Sequence, residues 1–200
     1  MLTLYHSPHS RSARFLWLFE ELGVPYELKT VTVRQRDGGG AVDPANPHPH
    51  GKVPALSDDG QVVFESPAIA LYLTDKFPAA GLGPTVGEAG RGAYLSWLVY
   101  YGSVLEPAFM SKFQSTPEPR GTAGWVVVEE AMDFINATLA AGPYLLGEKF
   151  SAADVLYAST FALLGKSPMM PNLPLVEAYT QRCVARPQFA AAQARDGTAN

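Results

Sequence analysis

The spacing of apolar residues changes once along this 200-residue chain, close to residue 80. Before that point, short stretches with apolar residues at every second position alternate with stretches at helical spacing. Beyond it, only the helical spacing continues. This change predicts a small domain with a β-sheet, followed by an all-helical domain. We therefore predict an α/β domain over residues 1–80, a glycine- and proline-rich linker over 81–90 and a helical domain over 91–200.

The first domain is predicted to have the order β-α-β-loop-β-β-α, which is too short for a doubly wound sheet. Gly23 is placed to end the first helix, and Asp58-Asp59-Gly60 to form a hairpin turn. Ser66 is expected to be the N-cap of the second helix, with Pro67 as its first helical residue. A long loop is expected from Asp37 to His50. The predicted elements are strands at Leu2–Tyr5, Tyr26–Val33, Val53–Ser57 and Gln61–Phe64, and helices at Arg11–Leu22 and Ser66–Phe77.

The second domain is predicted to contain four helices, Arg91–Phe113, Gly121–Ala141, Ala152–Leu164 and Pro174–Ala185. Pro107 is expected to kink the first of them because proline has no N–H group to donate. Pro187 is expected to halt the last. Ser151 and Asp154 have the spacing of a capping box, which gives Asp154 a structural rather than a catalytic role. Cys183 lies on an apolar helix face, which is typical of a buried thiol.

Charge and cysteine usage exclude several classes of function. The chain has 15 basic and 19 acidic residues, a net charge of −4 spread evenly, so no basic patch predicts a nucleic-acid partner. One cysteine supports neither a disulfide framework nor a CxxC pair, and the four histidines lack partners at metal-ligand spacing. Neither a signal peptide nor an apolar run of membrane-spanning length is recognisable, so we expect a cytoplasmic protein without a membrane partner.

Three short motifs are placed to bind a small polar ligand. The first, Ser7-Pro8-His9-Ser10-Arg11-Ser12, joins the first strand to the first helix. A helix N-terminus stabilises an anion, and a nearby hydroxyl can donate a hydrogen bond to a thiolate. Because a cysteine thiol with a pKa of about 8.5 is mostly protonated at neutral pH, such donors would be needed to ionise it. The same serines are also typical of a simple helix cap.

The other two motifs could bind the two ends of a peptide-like molecule. Gly51-Lys52-Val53-Pro54 predicts an extended backbone that can pair with a peptide ligand, with Lys52 beside it for a carboxylate. Glu65 and Ser66 place a cation acceptor next to a helix N-terminus, which suits a zwitterionic amino-acid head group. Read singly, these motifs are also typical of an edge strand and of a capped surface helix.

Taken in order, the motifs resemble those of the glutathione transferase family, most closely a branch found in bacteria and fungi. The resemblance covers essentially the whole chain and implies a thioredoxin-like N-terminal domain followed by an all-α C-terminal domain. The matching stretches are Leu4–Arg14, Leu18–Glu27, His48–Leu56, Glu65–Ile69 and Phe150–Asp154. One departure is His48, which stands where the family usually has asparagine.

The resemblance also implies a glutathione site in the first domain. In it, Pro54 follows a cis peptide bond, and the backbone of Val53 pairs with the cysteinyl unit. Glu65 and Ser66 hold the γ-glutamyl end, while Lys52 and His50 lie near the glycyl end. Ser10 matches the serine that activates the thiol, and Ser12 and Tyr5 are alternative activators. Glutathione is then a co-substrate, with no tightly bound cofactor and no metal.

The resemblance implies an enzyme that joins the glutathione thiolate to small electrophilic, mostly apolar substrates, a detoxification activity in a homodimer. Tyr94, Trp97 and Tyr101 lie on one face of a predicted helix. Such a stripe usually belongs to a core, and the resemblance implies that some of its residues line the hydrophobic substrate pocket. Two other functions remain open from the sequence. They are a glutathione-dependent peroxidase or disulfide reductase, and a non-catalytic glutathione-binding module.

Overall fold

The computed structural model describes residues 1–35, 38–116, 121–165 and 167–198. The chain divides into two compact units. One consists of Met1–Ala80 together with Arg186–Asn200, and the other of Gly81–Ala185. The first contains a four-stranded sheet and the regular elements of the second are helical, which confirms the predicted fold class.

The sheet of the first unit is mixed, with the strand order β2-β1-β3-β4. β1 and β2 are parallel, whereas β3 is antiparallel to both β1 and β4. Leu4, Ala55 and Leu56 are fully buried and form the centre of the core. The elements are β1 (Leu2–His6), α1 (Ala13–Leu22), β2 (Glu27–Thr30), β3 (Ala55–Asp58), β4 (Gln61–Phe64) and α2 (Ser66–Lys76), followed by one 3-10 turn at Pro78–Ala80.

The start of α1 and the N-cap of α2 each differ from the prediction by one or two residues. α1 begins at Ala13 rather than Arg11 because residues 8–12 form turns, with His9 in the left-handed region at φ 56°. At α2, the carbonyl of Glu65 accepts the first helical hydrogen bond, from the Ile69 N–H at 3.0 Å. Glu65 is therefore the N-cap and Ser66 the first helical residue, so the prediction of Ser66 as N-cap was wrong by one residue.

Other parts of the first unit follow the sequence more closely. Gly23 ends α1 in the left-handed conformation, at φ 65°, as predicted. The hairpin between β3 and β4 is also confirmed. β2 covers only Glu27–Thr30 of the longer predicted strand. Asp37, the first residue of the predicted loop, lies outside the described residues.

An additional helix, α8 (Pro187–Thr198), follows the last one predicted. It packs against α1, where the rings of Trp17 and Phe189 meet edge to face with centroids 4.9 Å apart. The sequence prediction assigned residues 186–200 to the helical domain. Pro187 halts the preceding helix, but proline also suits the first turn of a new one, which is the role it has here.

The second unit contains α3 (Arg91–Tyr100), α4 (Glu106–Phe113), α5 (Val128–Leu139), α6 (Ala152–Leu164) and α7 (Pro174–Val184). A single π-helical segment, Tyr101–Leu105, interrupts the predicted first helix. Pro107 explains it, because proline cannot donate to the carbonyl four residues earlier and its ring crowds that turn. The interruption therefore falls just before Pro107, as a widened turn in which the Glu106 N–H bonds to the Tyr101 carbonyl.

α5 begins at Val128, seven residues later than predicted, after a backbone that is extended at Val127. α6 begins with the predicted capping box, in which the Ser151 N–H donates to the Asp154 carboxylate at 2.8 Å. No helix within the described ranges combines the length and apolar character needed to cross a membrane.

Candidate active site

The register of the sheet brings the three candidate motifs to one end of the first unit. Tyr5 is paired with Ala55, so the residues after β1 run alongside those before β3. Ala55 is also paired with Phe64, which places Glu65 at the same end. The serine turn follows β1, the Gly51–Pro54 segment precedes β3, and the N-terminus of α2 follows β4. Segments separated by up to about sixty residues in sequence therefore meet at one sheet end.

The serine turn contains a compact cluster of hydroxyl groups. The Ser10 hydroxyl donates to the Ser7 carbonyl at 2.7 Å, and its oxygen lies 2.7 Å from the Ser12 Oγ. The Ser12 Oγ also accepts from the Ser7 N–H at 3.1 Å and lies 2.9 Å from the His6 Nδ1. Ser12 is fully buried, whereas Ser10 is only partly buried. Of the two hydroxyls, Ser10 is therefore the one that an incoming ligand can reach.

A histidine and an aspartate extend this cluster to the C-terminal helix. The His6 side chain is fully buried, and its Nε2 lies 3.2 Å from the Asp196 Oδ1 of α8. This is an ion-pair distance, but among the described residues Nε2 makes no aligned hydrogen bond. Burial lowers the pKa of His6, while the carboxylate of Asp196 opposes that change. Both carboxylate oxygens of Asp196 also accept the His9 backbone N–H, Oδ1 at 3.2 Å and Oδ2 at 3.3 Å.

The segment before β3 has the expected cis peptide bond, between Val53 and Pro54. Gly51 has a φ of +60°, and a Cβ built on it would lie only 2.5 Å from a methyl group of Val42. Glycine is therefore required at this position both by conformation and by space. The Asn46 side chain donates to the Lys52 carbonyl at 3.0 Å and so fixes the backbone beside Val53. The side chain of Lys52 itself is exposed.

His48 supports the same segment from within. The Nδ1 of its ring accepts the backbone N–H of His50 at 3.0 Å, and the backbone N–H of His48 donates to the Asn46 Oδ1. Its ring centroid lies 5.3 Å from that of Phe64. Burial lowers the pKa of His48, and the carboxylate of Glu65 opposes that change. These contacts place the loop that carries His50 and Lys52 beside the end of β4.

The third motif, Glu65 and Ser66, has an unusual backbone. Glu65 adopts φ 71° and ψ 127°, a conformation that costs a residue with a Cβ on the order of 1–3 kcal/mol. Strain of this kind is concentrated at ligand-binding sites. The Glu65 side chain is exposed, while Ser66 is 7% exposed at the start of α2. A carboxylate and the N–H groups of a helix N-terminus therefore lie side by side, as a zwitterionic ligand requires.

Tyr5 is separated from the hydroxyl cluster by the alternation of the strand. Successive side chains of β1 point to opposite faces, and His6 belongs to the face that meets Ser12. Tyr5 therefore faces the other way, where its ring centroid lies 5.6 Å from the Lys29 Nζ.

The aromatic stripe of α3 lies in the core of the second unit. Tyr94 and Tyr101 have no exposed surface, and Trp97 is 7% exposed. The Tyr101 hydroxyl donates to the Glu106 carboxylate at 2.6 Å and lies 2.8 Å from the Thr160 hydroxyl. Tyr94 and Tyr101 thus have the core role that is usual for such a stripe, and Trp97 keeps a small exposed surface. That some of the three residues line a substrate pocket stays a prediction.

A shallow cavity of about 320 Å³ lies at the ends of β1 and β2. Its walls include Ser7 and Pro8 of the serine turn, together with residues 30–33. Neither the Val53 backbone nor Glu65 lines it. We therefore place the candidate site on the sheet-end geometry and not on this cavity. Within the described residues, no group of three or more His, Cys, Asp or Glu side chains is arranged to hold a metal ion.

The predicted site residues at this end of the sheet are Ser10, Ser12, Lys52, Val53, Glu65 and Ser66. His6 and Asp196, the partners of the serines, were not predicted from the sequence. The sequence does contain a signal for His6, which ends the first strand directly before the serine turn and so lies close to the serines. Asp196 lies on α8, and the spacing of Phe189, Ala192 and Asp196 matches one face of a helix.

Comparisons with known proteins identify the family of the chain. Residues 1–75 match the sequence profile of the glutathione S-transferase N-terminal domain, and residues 118–182 that of the C-terminal domain. Glutathione S-transferase 3 of Zea mays is 30% identical over 94% of this chain and 91% of its own length. The crystal structure of a glutathione transferase from Methylococcus capsulatus matches with a TM-score of 0.81 and 29% identity, over 99% of this chain and 100% of that one.

A glutathione S-transferase structure from a sphingomonad, complexed with glutathione, matches with a TM-score of 0.76 and 30% identity over 98% of both chains. Relatives of this identity and coverage extend over both the sheet-containing and the helical part of the molecule. The chain therefore belongs to the glutathione S-transferase family.

Proposed function

We propose that this protein is a glutathione transferase that conjugates the thiolate of glutathione to small electrophilic, mostly apolar substrates. The observation that carries the proposal is the meeting of the serine turn, the cis Val53–Pro54 segment and the strained Glu65 at one sheet end. The sphingomonad relative is a complex with glutathione, which supports the same ligand here.

Each part of glutathione has a chemical counterpart in this set. The Val53 backbone, next to Pro54, pairs with the cysteinyl unit as an added strand would. Glu65 accepts the γ-glutamyl ammonium group, while Ser66 and the N-terminus of α2 bind its carboxylate. The exposed Lys52 and His50 lie on the loop before β3, where cationic and polar groups suit the glycyl carboxylate.

Ser10 is the residue that we propose to activate the thiol. Its hydroxyl is partly accessible and lies in the turn that leads into α1. When glutathione binds, the hydroxyl rotates from the Ser7 carbonyl to the sulfur and donates to the thiolate. Each unit by which the thiol pKa is lowered corresponds to about 1.4 kcal/mol, within reach of one charge-assisted hydrogen bond. The thiolate of glutathione is the nucleophile, and the protein supplies orientation and charge stabilisation.

Two alternative functions make different use of the same site. A disulfide reductase of the cysteine type needs a protein thiol in the turn, where this chain has Ser10, and Cys183 is fully buried elsewhere. A route with two glutathione molecules would serve a peroxidase or a reductase without such a thiol. A non-catalytic glutathione-binding module would bind the tripeptide without ionising it. We further propose a homodimer, on the resemblance alone, and a cytoplasmic location, on the sequence features given above.

The decisive test compares wild type with Ser10→Ala, and with Ser103→Ala as a matched control on an exposed helix position. Glutathione binding is measured by calorimetry and thiolate formation by its ultraviolet absorption. We expect wild type and Ser103→Ala to show the thiolate at pH 7. Ser10→Ala should still bind glutathione but form about tenfold less thiolate. Absence of glutathione binding to wild type, or an unchanged thiolate signal in Ser10→Ala, would contradict the proposal.

A substrate screen separates the remaining functions. Electrophiles such as aryl halides and unsaturated carbonyls, organic hydroperoxides and mixed disulfides are each offered with glutathione. We expect turnover of the electrophiles to exceed that of the other two classes. Turnover confined to hydroperoxides or mixed disulfides would instead assign the alternative activity.

A further inference from the structure

We propose that His6, supported by Asp196, takes up the proton that glutathione releases, through a chain of two hydroxyls formed by Ser12 and Ser10. This inference rests on the proposed function, because it concerns the thiol that Ser10 activates. It assigns roles to two residues that lie beyond direct reach of the ligand and to the C-terminal helix α8. His6 and Asp196 are positioning residues in this scheme, since they act on the sulfur only through the serines.

The first support is an unbroken series of short contacts. The Ser10 Oγ lies 2.7 Å from the Ser12 Oγ, which lies 2.9 Å from the His6 Nδ1. On the other side of the ring, Nε2 lies 3.2 Å from the Asp196 Oδ1. Ser12 and His6 have no exposed surface, so water does not replace these contacts. The Ser12 hydroxyl and the His6 ring therefore connect the accessible Ser10 with a carboxylate.

The second support is the way the hydrogen-bond donor and acceptor positions of the Ser12 hydroxyl are used. Its oxygen accepts the Ser7 N–H at 3.1 Å, which leaves one acceptor position and one O–H. Asp196 beside Nε2 favours the tautomer with the proton on Nε2, so that Nδ1 is an acceptor. The Ser12 O–H then donates to Nδ1, and its free acceptor position faces the Ser10 hydroxyl. The Ser10 hydroxyl, which donates to the Ser7 carbonyl in the free protein, turns to the Ser12 oxygen when the ligand binds. Both hydroxyls then point away from the ligand and toward His6.

The proton transfer balances without any further reactant. The S–H bond of glutathione breaks as its proton joins the Ser10 oxygen, whose own proton passes to Ser12. The Ser12 proton passes to the His6 Nδ1. The products are a thiolate that accepts a hydrogen bond from Ser10, and an imidazolium beside the Asp196 carboxylate. The hydroxyl directions are reversed, so each now donates toward the sulfur.

The charges around His6 suit an acceptor that is neutral at rest. Two titratable groups face its ring, Asp196 from α8 and His9 from the serine turn. Burial lowers the pKa of His6, so the ring is free to accept a proton, and the Asp196 carboxylate, which opposes that lowering, favours the protonated ring. Nε2 is buried without a hydrogen bond among the described residues, and the nearby carboxylate can form a charge-assisted one once the ring is protonated. The glutathione thiolate is a second negative charge that compensates the positive charge of the protonated His6 ring.

Asp196 also has a purely structural task, because it accepts the His9 backbone N–H. The two roles are separated by comparing Asp196→Asn with Asp196→Ala. Asparagine keeps an oxygen for that N–H but has no charge, whereas alanine has neither. If only the tether matters, asparagine behaves as wild type. If the negative charge stabilises the imidazolium, both variants lose thiolate, by about tenfold for each pKa unit of lost stabilisation.

The experiment measures two quantities on the full-length protein when it is mixed with glutathione at pH 7. They are the amount of thiolate formed, from its ultraviolet absorption, and the protons released into a weakly buffered indicator dye. We expect wild type to form thiolate while releasing clearly fewer protons than thiolates. His6→Asn, which places an untitratable amide near the Nδ1 position, is expected to release one proton for each thiolate that remains. Asp196→Asn is expected to lose about tenfold in thiolate, with its glutathione Kd within about threefold of wild type.

The outcomes distinguish the two proposals. Stoichiometric proton release by wild type, or an Asp196→Asn variant with wild-type thiolate, would overturn the role of His6 and Asp196 and leave the transferase proposal intact. Failure of wild type to form any thiolate would overturn the proposed function itself. Glu20→Gln serves as the control, because it removes another contact between α1 and α8, the ion pair with Arg195, without touching the hydroxyl chain.

Discussion

Arg186 donates two hydrogen bonds of 2.6 Å to the two carboxylate oxygens of Glu21. The Glu21 side chain is 2% exposed and also accepts the indole N–H of Trp17 at 2.9 Å. This contact fastens the residue just before α8 to α1. Because α8 carries Asp196, the position of that carboxylate beside His6 depends on it. A bond between residues far apart in sequence thus supports the candidate site from a distance.

The first prediction concerns this pair. Arg186→Ala leaves the buried carboxylate of Glu21 without its cation, so we expect the free energy of unfolding to fall by about 2–3 kcal/mol. Arg186→Lys keeps the charge but loses one of the two parallel hydrogen bonds, and should lose about half as much. Urea denaturation followed by circular dichroism measures both. Arg34→Ala, at an exposed position, is the control and should stay within about 0.5 kcal/mol of wild type. An Arg186→Ala variant as stable as Arg34→Ala would contradict the prediction.

The second prediction concerns a buried hydroxyl. The Tyr26 ring stacks on Phe19 at 4.0 Å and lies 4.6 Å from the Arg195 guanidinium, but its oxygen has no hydrogen-bond partner among the described residues. Burial raises the pKa of Tyr26 to about 12, against the opposing effect of Arg195. Tyr26→Phe removes the unpaired oxygen and keeps the ring, so we expect a gain of about 1 kcal/mol in the free energy of unfolding.

The matched variant is Tyr72→Phe, which also removes only a hydroxyl. Tyr72 donates to the Asp58 carboxylate at 2.5 Å, so this change should cost about 1–2 kcal/mol. The two substitutions are chemically identical and are expected to shift the urea midpoint in opposite directions. A loss of stability in both variants would show that the Tyr26 oxygen has a partner after all.

The sequence predicts those features whose causes are local. Gly23 ends α1 because the left-handed conformation suits glycine, and the Ser151–Asp154 box is visible as a spacing of three residues. The hairpin at Asp59-Gly60 is equally local. These features need no knowledge of the rest of the molecule, and the structure confirms them.

The features that the sequence did not predict depend on distant partners. α8 has one large apolar residue, Phe189. The helix and Arg186 before it are held by Trp17, Glu20 and Glu21 of α1, contacts that no local pattern near Pro187 reveals. For the same reason, Asp196 could not be connected with His6. Helical spacing shows that Tyr94, Trp97 and Tyr101 share a face of a helix, but not what that face contacts. The roles of the glutathione-site residues remain predictions.

The third prediction concerns the buried carboxylate of α6. Asp154 is fully buried and accepts four hydrogen bonds, from the Leu145 N–H, the Ser151 N–H and hydroxyl, and the Tyr179 hydroxyl. Asp154→Ala leaves all of these buried donors unpaired, so we expect a loss of about 4 kcal/mol or a failure to accumulate folded protein. Ser151→Ala removes only one donor and should cost about 1–2 kcal/mol.

Thermal unfolding in a differential scanning calorimeter ranks these two variants against wild type. Tyr179→Phe, which also removes one donor to Asp154, gives a second measure of a single lost bond and stays useful if Asp154→Ala does not fold. Equal unfolding temperatures for Asp154→Ala and Ser151→Ala would contradict the central role of the carboxylate.

The last prediction concerns pH. Burial lowers the pKa of His48 in the folded protein below the value of about 6.5 expected for the unfolded chain, so the unfolded state binds a proton first. The stabilising contribution of His48 is therefore complete above pH 6.5 and is lost as the pH falls toward the folded-state pKa. The urea midpoint of wild type should decrease from pH 7 to pH 5, and His6, whose pKa is lowered by burial in the same direction, should contribute to that decrease.

His48→Asn isolates the contribution of His48. The asparagine oxygen can accept the His50 N–H in place of the His48 Nδ1, so the loop keeps its hydrogen bond while the titrating group is removed. We expect the decrease in the urea midpoint between pH 7 and pH 5 to become smaller but not to vanish, because His6 still titrates. His50→Gln removes a neighbouring charge that helps to lower the pKa of His48, so it should reduce the slope by less than His48→Asn does. A wild-type slope in His48→Asn would mean that His48 is not the group whose protonation opposes folding.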